Sequence, residues 1–324
     1  MRSAILAAGI LLPLAIGVTT THAQVTTPTA ARPQRTEADA RAAAQRNREQ
    51  RAKQRQETGQ PVELISSYLK AIVLPVPESL GVDLTFYKKY VDAMGIPVIA
   101  SANVPDDALV VARDIINTML VARPDIRKSM VERKWRTGVI AEIEMTMDIP
   151  EYARLKRPGA PEGEPVNQLD RDYHANRSRG LGGNPTTGAE ENLLGYPGTR
   201  YWGEHIFVHE FAHAIMTGIR NVDPAMHAEI RVAYDSAMAA GKYLQLDGRP
   251  HYARTNAGEY WAEGAQWWFF SNYGECFAGN IKVETPEEFK AYDPRLFELL
   301  GRVFNTHRIP MDVFHAKRIR PVRC

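Results

Sequence analysis

The spacing of hydrophobic and polar residues along the chain predicts several helices and one clear strand. Over 139–147, apolar residues alternate with glutamate and threonine, which is typical of a strand with one buried face. Helical spacing covers 106–123 and 125–134, and Pro124 separates the two stretches because proline disfavours helix in the residue before it. The pattern therefore predicts an α+β protein.

The C-terminal half is predicted to be mostly helical. Helical spacing over 206–216 is expected to stop at Gly218, and the apolar run after Thr255 or Asn256, either of which can cap a helix, predicts a buried helix. The aromatic residues 267–270 favour core packing over a carbohydrate-binding surface, because consecutive side chains cover opposite helix faces. Further helices are predicted at 224–240, 284–290 and 294–303.

Residues 151–202 are rich in glycine, proline, asparagine and arginine and predict a long loop. Because this loop leads directly into the helix at 206–216, which carries the candidate functional motif described below, we expect it to form one wall of the cleft at that motif. Its glycines at 180–183 are not followed by Gly-Lys-Ser/Thr, which argues against a phosphate loop. For Glu190 and Glu191, a solvated turn is favoured over a calcium site or a pocket for a basic substrate.

The N-terminal segment 1–23 has the features of a signal peptide. Arg2 precedes a short apolar run at 4–18, and small residues end at Ala23, after which we expect cleavage. The run is too short for a stable membrane anchor, so the mature protein is expected to be secreted or periplasmic. Residues 24–60 lack aromatic side chains and predict a disordered linker or a removable pro-segment.

The net charge and the cysteine content of the chain bear on its possible partners and on its covalent structure. The formal net charge of +2 gives no support for nucleic-acid binding. The chain contains two cysteines, Cys276 and Cys324, and in an exported protein we expect them to form a disulfide bond.

The motif with the most chemical content is His-Glu-Phe-Ala-His at 209–213. Residues four apart lie on the same face of a helix, so His209 and His213 can point towards one metal ion. Glu210 can then take a proton from a water at that ion, as in zinc hydrolases of the H-E-x-x-H type.

The residues after this motif limit the source of a third ligand. Met216 and Ile219 stand where the extended metzincin pattern has glycine and histidine. His205 is eight residues before His213, roughly 12 Å along a helix, which is too far for both to bind one ion. A glutamate on a later helix is therefore expected.

Glu259 is the candidate for that ligand. Glu263 lies one turn further along and is expected to accept the N–H of a ligand histidine and so fix its tautomer. Two glutamates four residues apart are by themselves typical of a solvated helix face. The upstream histidine motif and the neighbouring tryptophans favour the functional interpretation, because buried carboxylates require partners.

Taken together, the motifs resemble those of the anthrax lethal factor catalytic domain and its relatives, which are gluzincin zinc metallopeptidases. The resemblance rests on His-Glu-Phe-Ala-His and on Tyr-x-Arg-Thr-Asn-x-x-Glu-x-x-Ala-Glu, which runs from Tyr252 to Glu263. It covers roughly residues 200–270, about a fifth of the chain, and Ala212 departs from the glycine of the best-known member. Because no match is evident outside this region, the toxin's substrate is not carried over.

The resemblance implies a site and a fold. It implies that His209, His213 and Glu259 bind Zn²⁺, that Glu210 is the general base and that Tyr252 donates a hydrogen bond to the oxyanion. It also implies a zincin-like fold over 61–324, with a small sheet-bearing N-terminal lobe, a helical C-terminal lobe and the cleft between them. In that plan an edge strand beside the metal helix binds extended peptide, and the predicted strand at 139–147 is the candidate.

The expected function is that of an exported zinc metallopeptidase acting on peptides or proteins. Two alternatives stay open. One is a zinc amidase that acts on cell-wall peptides or other non-protein amides. The other is a catalytically silent binding protein on a metallopeptidase scaffold, against which the intact Glu210 argues, because a structural metal site needs no base.

Overall fold

A mixed β-sheet and a pair of packed helices organise the protein. The computed structural model describes residues 73–156, 178–196 and 199–309, together with the single positions 42, 46 and 324. All of these residues belong to one compact unit, residues 35–324. The predicted signal peptide lies outside the described residues, as does the predicted linker apart from positions 42 and 46.

The described residues form seven strands and eight α-helices, so the predicted combination of helix and sheet is confirmed. The strands are β1 (Lys89–Ala93), β2 (Ile96–Ala100), β3 (Thr137–Ile140), β4 (Gly180–Leu181), β5 (Thr186–Ala189), β6 (Glu275–Phe277) and β7 (Ile281–Val283). The helices are α1 (Asp106–Leu120), α2 (Pro124–Glu132), α3 (Glu190–Leu193), α4 (Ile206–Val222), α5 (Pro224–Ala239), α6 (Ala257–Trp268), α7 (Pro286–Tyr292) and α8 (Pro294–Gly301).

The first five strands form one sheet in the order β1-β2-β3-β5-β4. β2, β3 and β5 are parallel, whereas β1 and β4 run antiparallel at the two edges. Helices α1 and α2 connect β2 to β3, as expected for parallel strands, which need a long crossover. β6 and β7 form a separate two-stranded sheet.

The predicted strand at 139–147 was wrong beyond its first residues. β3 ends at Ile140, and the chain then turns, with the Glu144 N–H bonded to the Ala141 carbonyl at 2.9 Å. Glu144 is buried rather than facing solvent, because its carboxylate accepts hydrogen bonds from Ala141 N, Ser101 Oγ and Asn103 Nδ2. The alternation of residue types therefore reflects buried carboxylates in a turn and not two faces of a strand.

The helix predictions are largely confirmed. Pro124 occupies the first turn of α2, which is why the two N-terminal helices separate there. Gly218 was wrong as a helix stop, because α4 continues to Val222. The glycine instead permits close packing: a Cβ at Gly218 would lie 2.6 Å from Ile126 Cγ2 on α2.

The helices α4 and α6 lie at the centre of the core. Trp267, Trp268 and Phe269 are buried, as predicted, whereas Phe270 is only partly buried. The predicted disulfide between Cys276 and Cys324 is present, with the Cα atoms 5.4 Å apart. Within the described residues, none of the helices combines the length and the apolar character needed to cross a membrane.

The predicted long loop at 151–202 contains regular elements where the structure describes it. It includes β4, β5 and α3, and its residues 157–177 and 197–198 lie outside the described residues. The solvated turn expected at Glu190 and Glu191 was wrong, since both residues are buried. Glu191 forms an ion pair with Arg179, with Nε to Oε1 at 2.6 Å.

Candidate metal centre

Helix α4 carries the two histidines of the motif on one face. His209 is buried, and the helix around it is apolar, with Phe207, Val208 and Phe211 in the core. His205 precedes the first turn and is also buried, and burial lowers its pKa to about 3. His205 is not part of the cluster formed by the motif, in agreement with its exclusion on helix geometry.

Helix α6 brings Glu259 to the same place. Asn256 caps the helix, with its Oδ1 accepting from the backbone N–H groups of Gly258 at 2.8 Å and Glu259 at 3.0 Å. Trp261 fixes α6 against α4 by donating its indole N–H to the Ala212 carbonyl at 3.0 Å. A small residue at 212 suits this close approach of the two helices.

The three side chains converge on one point. Glu259 Oε2 lies 3.0 Å from His209 Nε2 and 3.2 Å from His213 Nε2, and the two Nε2 atoms are 3.2 Å apart. Each residue offers one donor atom, and together they form a group able to hold a metal ion. The structure thus brings together the three residues predicted as ligands.

The charges in this group are strongly coupled. Burial alone would lower the pKa of His209, but its hydrogen bond to Glu259 and the nearby carboxylates of Glu263 and Glu210 raise it to about 10. Burial alone would raise the pKa of Glu259, but its contacts with His209 and His213 lower it. A metal ion would compete with the proton of His209 for the same lone pair, so metal binding would release that proton.

A second layer of polar groups orients His209. Its Nδ1 lies 3.2 Å from Gln266 Oε1 and 3.5 Å from Glu263 Oε1. Gln266 is held in turn, because its amide donates to the His205 carbonyl at 3.0 Å. Glu263 therefore lies beside a candidate ligand histidine, as predicted. Gln266 is the closer partner of His209 and was not predicted from the sequence. Its spacing of seven residues from Glu259, two helical turns, places it on the same face of α6, but this spacing alone does not identify His209 as its partner.

Glu210 faces the end of β4, one of the two edge strands of the five-stranded sheet. Burial raises the pKa of Glu210, and the backbone N–H of Gly182 hydrogen-bonds to its carboxylate. A Cβ at Gly182 would lie 3.3 Å from Glu210 Oε2, so a residue without a side chain suits this position. The edge strand beside the helix is therefore β4, and not the predicted strand at 139–147, because β3 lies inside the sheet.

Tyr252 stands at the open side of the cluster. It belongs to a 3-10 turn, Tyr252–Arg254, whose N-cap His251 accepts the Ala253 N–H at its Nδ1. The Tyr252 ring centroid is 6.1 Å from that of His209, and 54% of the residue is exposed. The phenol thus borders the candidate metal centre without being enclosed by it.

Glu204 is a neighbour of the cluster that the sequence did not indicate. It can form a second group with His209 and Glu263 whose donor atoms lie close together. Burial, followed by the charge of Glu263, raises the pKa of Glu204 to about 8. Glu204 comes before the first turn of α4 and matches no spacing rule, so only the folded chain reveals it.

Comparisons with known proteins add no family assignment. No protein-family model matches the chain, and no curated protein is significantly similar to it.

Proposed function

We propose that this protein is an exported zinc-dependent metallopeptidase of the gluzincin type, with a zincin-like fold. The observation that carries the proposal is the convergence of His209 Nε2, His213 Nε2 and Glu259 Oε2 within 3.0–3.2 Å of one another. Ligands of a tetrahedral zinc ion at about 2.0–2.1 Å are separated by about 3.3 Å, so the donor atoms fit this ion. Two histidines and one carboxylate also form a common donor set for catalytic zinc.

Protein residues supply the remaining parts of a hydrolytic mechanism. When bound, Zn²⁺ supplies a Lewis acid that polarises a carbonyl group and makes a water molecule more acidic. The Glu210 carboxylate takes a proton from the attacking water and returns it to the leaving nitrogen of the scissile bond. Burial raises the pKa of Glu210, which strengthens its carboxylate as a proton acceptor.

Tyr252 and the second layer complete the proposed roles. The Tyr252 hydroxyl donates a hydrogen bond to the oxygen that becomes negatively charged, and its exposed position leaves room for substrate. Gln266 and Glu263 accept the Nδ1–H of His209. This keeps the proton on Nδ1, so the lone pair of Nε2 is free to bind the ion. The disulfide between Cys276 and Cys324 supports the proposed export, because such bonds persist in oxidising compartments.

The test compares the zinc-loaded protein lacking residues 1–23 with its Glu210→Gln variant. Both are incubated with a complex peptide mixture, and cleavage is detected by mass spectrometry. We expect Glu210→Gln to bind zinc with unchanged stoichiometry and to lose activity by about 10²- to 10⁴-fold, the usual contribution of a general base. The matched control is Glu78→Gln, which changes an exposed glutamate and should leave activity unchanged.

The outcomes separate the possible functions. Equal cleavage by wild type and Glu210→Gln would show that the base assignment is wrong. No cleavage by either protein, with zinc bound to both, would favour a non-protein amide substrate or a binding scaffold. If a Glu259→Ala variant still bound zinc at full stoichiometry, Glu259 would not be the third ligand.

A further inference from the structure

A cavity of about 270 Å³ adjoins the candidate metal centre. His209, Glu210 and Tyr252 form the side of the cavity next to the centre, and Glu263 and Glu275 are also among its walls. Pockets for small-molecule ligands usually measure about 300–1,000 Å³, so this cavity has room for roughly one amino-acid side chain. Its position makes it a candidate pocket for a residue next to the scissile bond.

The walls of this cavity are acidic. Glu204, Glu263 and Glu275 all line it, in addition to the proposed base Glu210. Among the described lining residues, Arg179 carries the one arginine or lysine side chain.

The charge of Arg179 is already compensated. Its guanidinium donates to both carboxylate oxygens of Glu191 at 2.6 and 3.0 Å, and also to the backbone carbonyls of Ala141 and Glu144. Bidentate pairing of this kind holds the guanidinium in place. Arg179 therefore does not balance the carboxylates of the cavity.

Glu275 is a wall carboxylate that has no part in the proposed mechanism and belongs to neither group of candidate metal ligands. Its Oε1 is 3.8 Å from His251 Nε2, which is beyond hydrogen-bonding distance. Burial lowers the pKa of His251, which makes this imidazole a weak counter-ion for Glu275. Burial, followed by the charge of Glu263, raises the pKa of Glu275 to about 7, as expected for a carboxylate facing another without a cation between them.

Resting on the proposed function, we infer that this cavity binds a lysine or arginine side chain of the substrate and that Glu275 determines this specificity. The aliphatic part of such a side chain can lie against Tyr201 and Tyr273 in the cavity wall, and its cationic end can reach the carboxylates. An apolar side chain would leave the Glu275 carboxylate desolvated and without a cationic partner, which costs free energy. An acidic side chain would be repelled by the carboxylates of the cavity.

The role of Glu263 differs from that of Glu275. Glu263 Oε2 accepts a hydrogen bond from Asn272 Nδ2 at 2.8 Å, and its Oε1 faces His209 Nδ1. Changing Glu263 would therefore disturb the candidate metal centre together with the pocket. Glu275 is on β6 with 25% of its side chain exposed, so an isosteric change there tests the pocket alone.

The test measures kcat/KM for peptides that differ only at the residues flanking the cleaved bond. Wild type should prefer lysine or arginine over norleucine at one flanking position by about tenfold or more, a typical effect of one desolvated charge pair. Glu275→Gln should lose most of this preference, and its kcat/KM for the norleucine peptide should not fall. Glu275→Lys should invert the preference towards glutamate. The control Glu287→Gln alters an exposed glutamate on α7 and should behave as wild type.

A binding measurement separates failure of this inference from failure of the proposed function. Binding of n-butylguanidinium to the zinc-loaded protein is followed by NMR, with 1-pentanol as a neutral probe of similar length. Cleavage without a basic preference would overturn the inference and leave the peptidase proposal intact. If no peptide is cleaved, the binding of the cation decides. Equal binding by wild type and Glu275→Gln would overturn the inference about the pocket, and weaker binding by Glu275→Gln would support it.

Discussion

At the scale of single residues, His209 is the side chain on which the site depends most. Its Nε2 atom faces Glu259 and His213, and its Nδ1 atom faces Gln266 and Glu263, so both ring nitrogens have polar neighbours. An imidazole with both nitrogens engaged has little freedom to rotate. The orientation of the donor atom is therefore fixed before any ligand arrives.

Gln266 is expected to control how tightly the centre holds a metal ion. Gln266→Leu removes the acceptor at His209 Nδ1 and the donor to the His205 carbonyl. We expect the metal dissociation constant to rise about 10- to 100-fold and the free energy of unfolding to fall by roughly 1–3 kcal/mol. Chelator competition and urea unfolding measure the two effects. Asn117→Leu on α1 is the control, and an unchanged metal affinity in Gln266→Leu would contradict the proposed role.

Tyr252 is expected to act on the rate of reaction more than on substrate binding. Tyr252→Phe removes the hydroxyl and keeps the ring beside His209, so kcat should fall by about 10²-fold, the lower range for loss of one oxyanion donor. KM should change little. Steady-state kinetics on one peptide checks this, with Tyr90→Phe on β1 as the remote control. A fall in kcat/KM that comes only from KM would instead indicate a role in binding substrate.

The residues of the proposed site were predictable to the extent that local spacing encodes them. His209 and His213 share a face because they are four residues apart on a helix, and this holds whatever the surrounding fold. Gln266 and Glu204 required the packed structure. The contact of Gln266 with His209 depends on how α6 packs against α4, and no local rule contains that information.

At the scale of elements, close packing between helices sets the position of α4. Gly218 meets Ile126 of α2 on one side, and Ala212 accepts a hydrogen bond from Trp261 of α6 on the other. Small residues at both contacts let the neighbouring helices approach. The positions of the candidate metal ligands His209 and His213 thus depend on two residues that have no chemical role in the proposed site.

Gly218→Ala is expected to destabilise the protein although alanine favours helix. The helix propensity of alanine would add about 1 kcal/mol. The new Cβ would lie 2.6 Å from Ile126 Cγ2, however, and overpacking of this kind costs about 1–3 kcal/mol. We expect a net decrease in the free energy of unfolding, measured by urea titration. This decrease should disappear when Gly218→Ala is made in an Ile126→Ala background. Net stabilisation by Gly218→Ala alone would show that α2 moves aside without cost.

The helices were predictable from sequence and the strand was not, for a physical reason. Apolar spacing, Pro124 and the Asn256 cap act within a few residues, so they define helices locally. The alternation at 139–147 has two explanations, a strand with two faces or a turn with buried carboxylates. Partners remote in sequence, Ser101 and Asn103, satisfy Glu144 and select the turn.

At the scale of the whole molecule, the disulfide joins β6 to the end of the chain. The bonded cysteines are 48 residues apart, and closing a loop of this length in the unfolded state is worth about 4 kcal/mol in the chain-entropy model. Cys324→Ser should therefore lower the free energy of unfolding by roughly 2–4 kcal/mol. Urea titration with and without reductant measures this. Reductant should not change the free energy of unfolding of the variant. If reductant also left that of the wild type unchanged, the expectation would be contradicted.

The proposed metal centre takes its three donor atoms from two different helices, so metal binding there would depend on folding. His209 and His213 come from α4 and Glu259 from α6, so the unfolded chain contains no preformed site. An ion that binds only the folded state stabilises it by mass action, by about 2.7 kcal/mol when its free concentration is 100 times the dissociation constant. The lifetime of each molecule in the presence of proteases would then follow the local concentration of that ion, and starvation for metal would remove the folded protein itself.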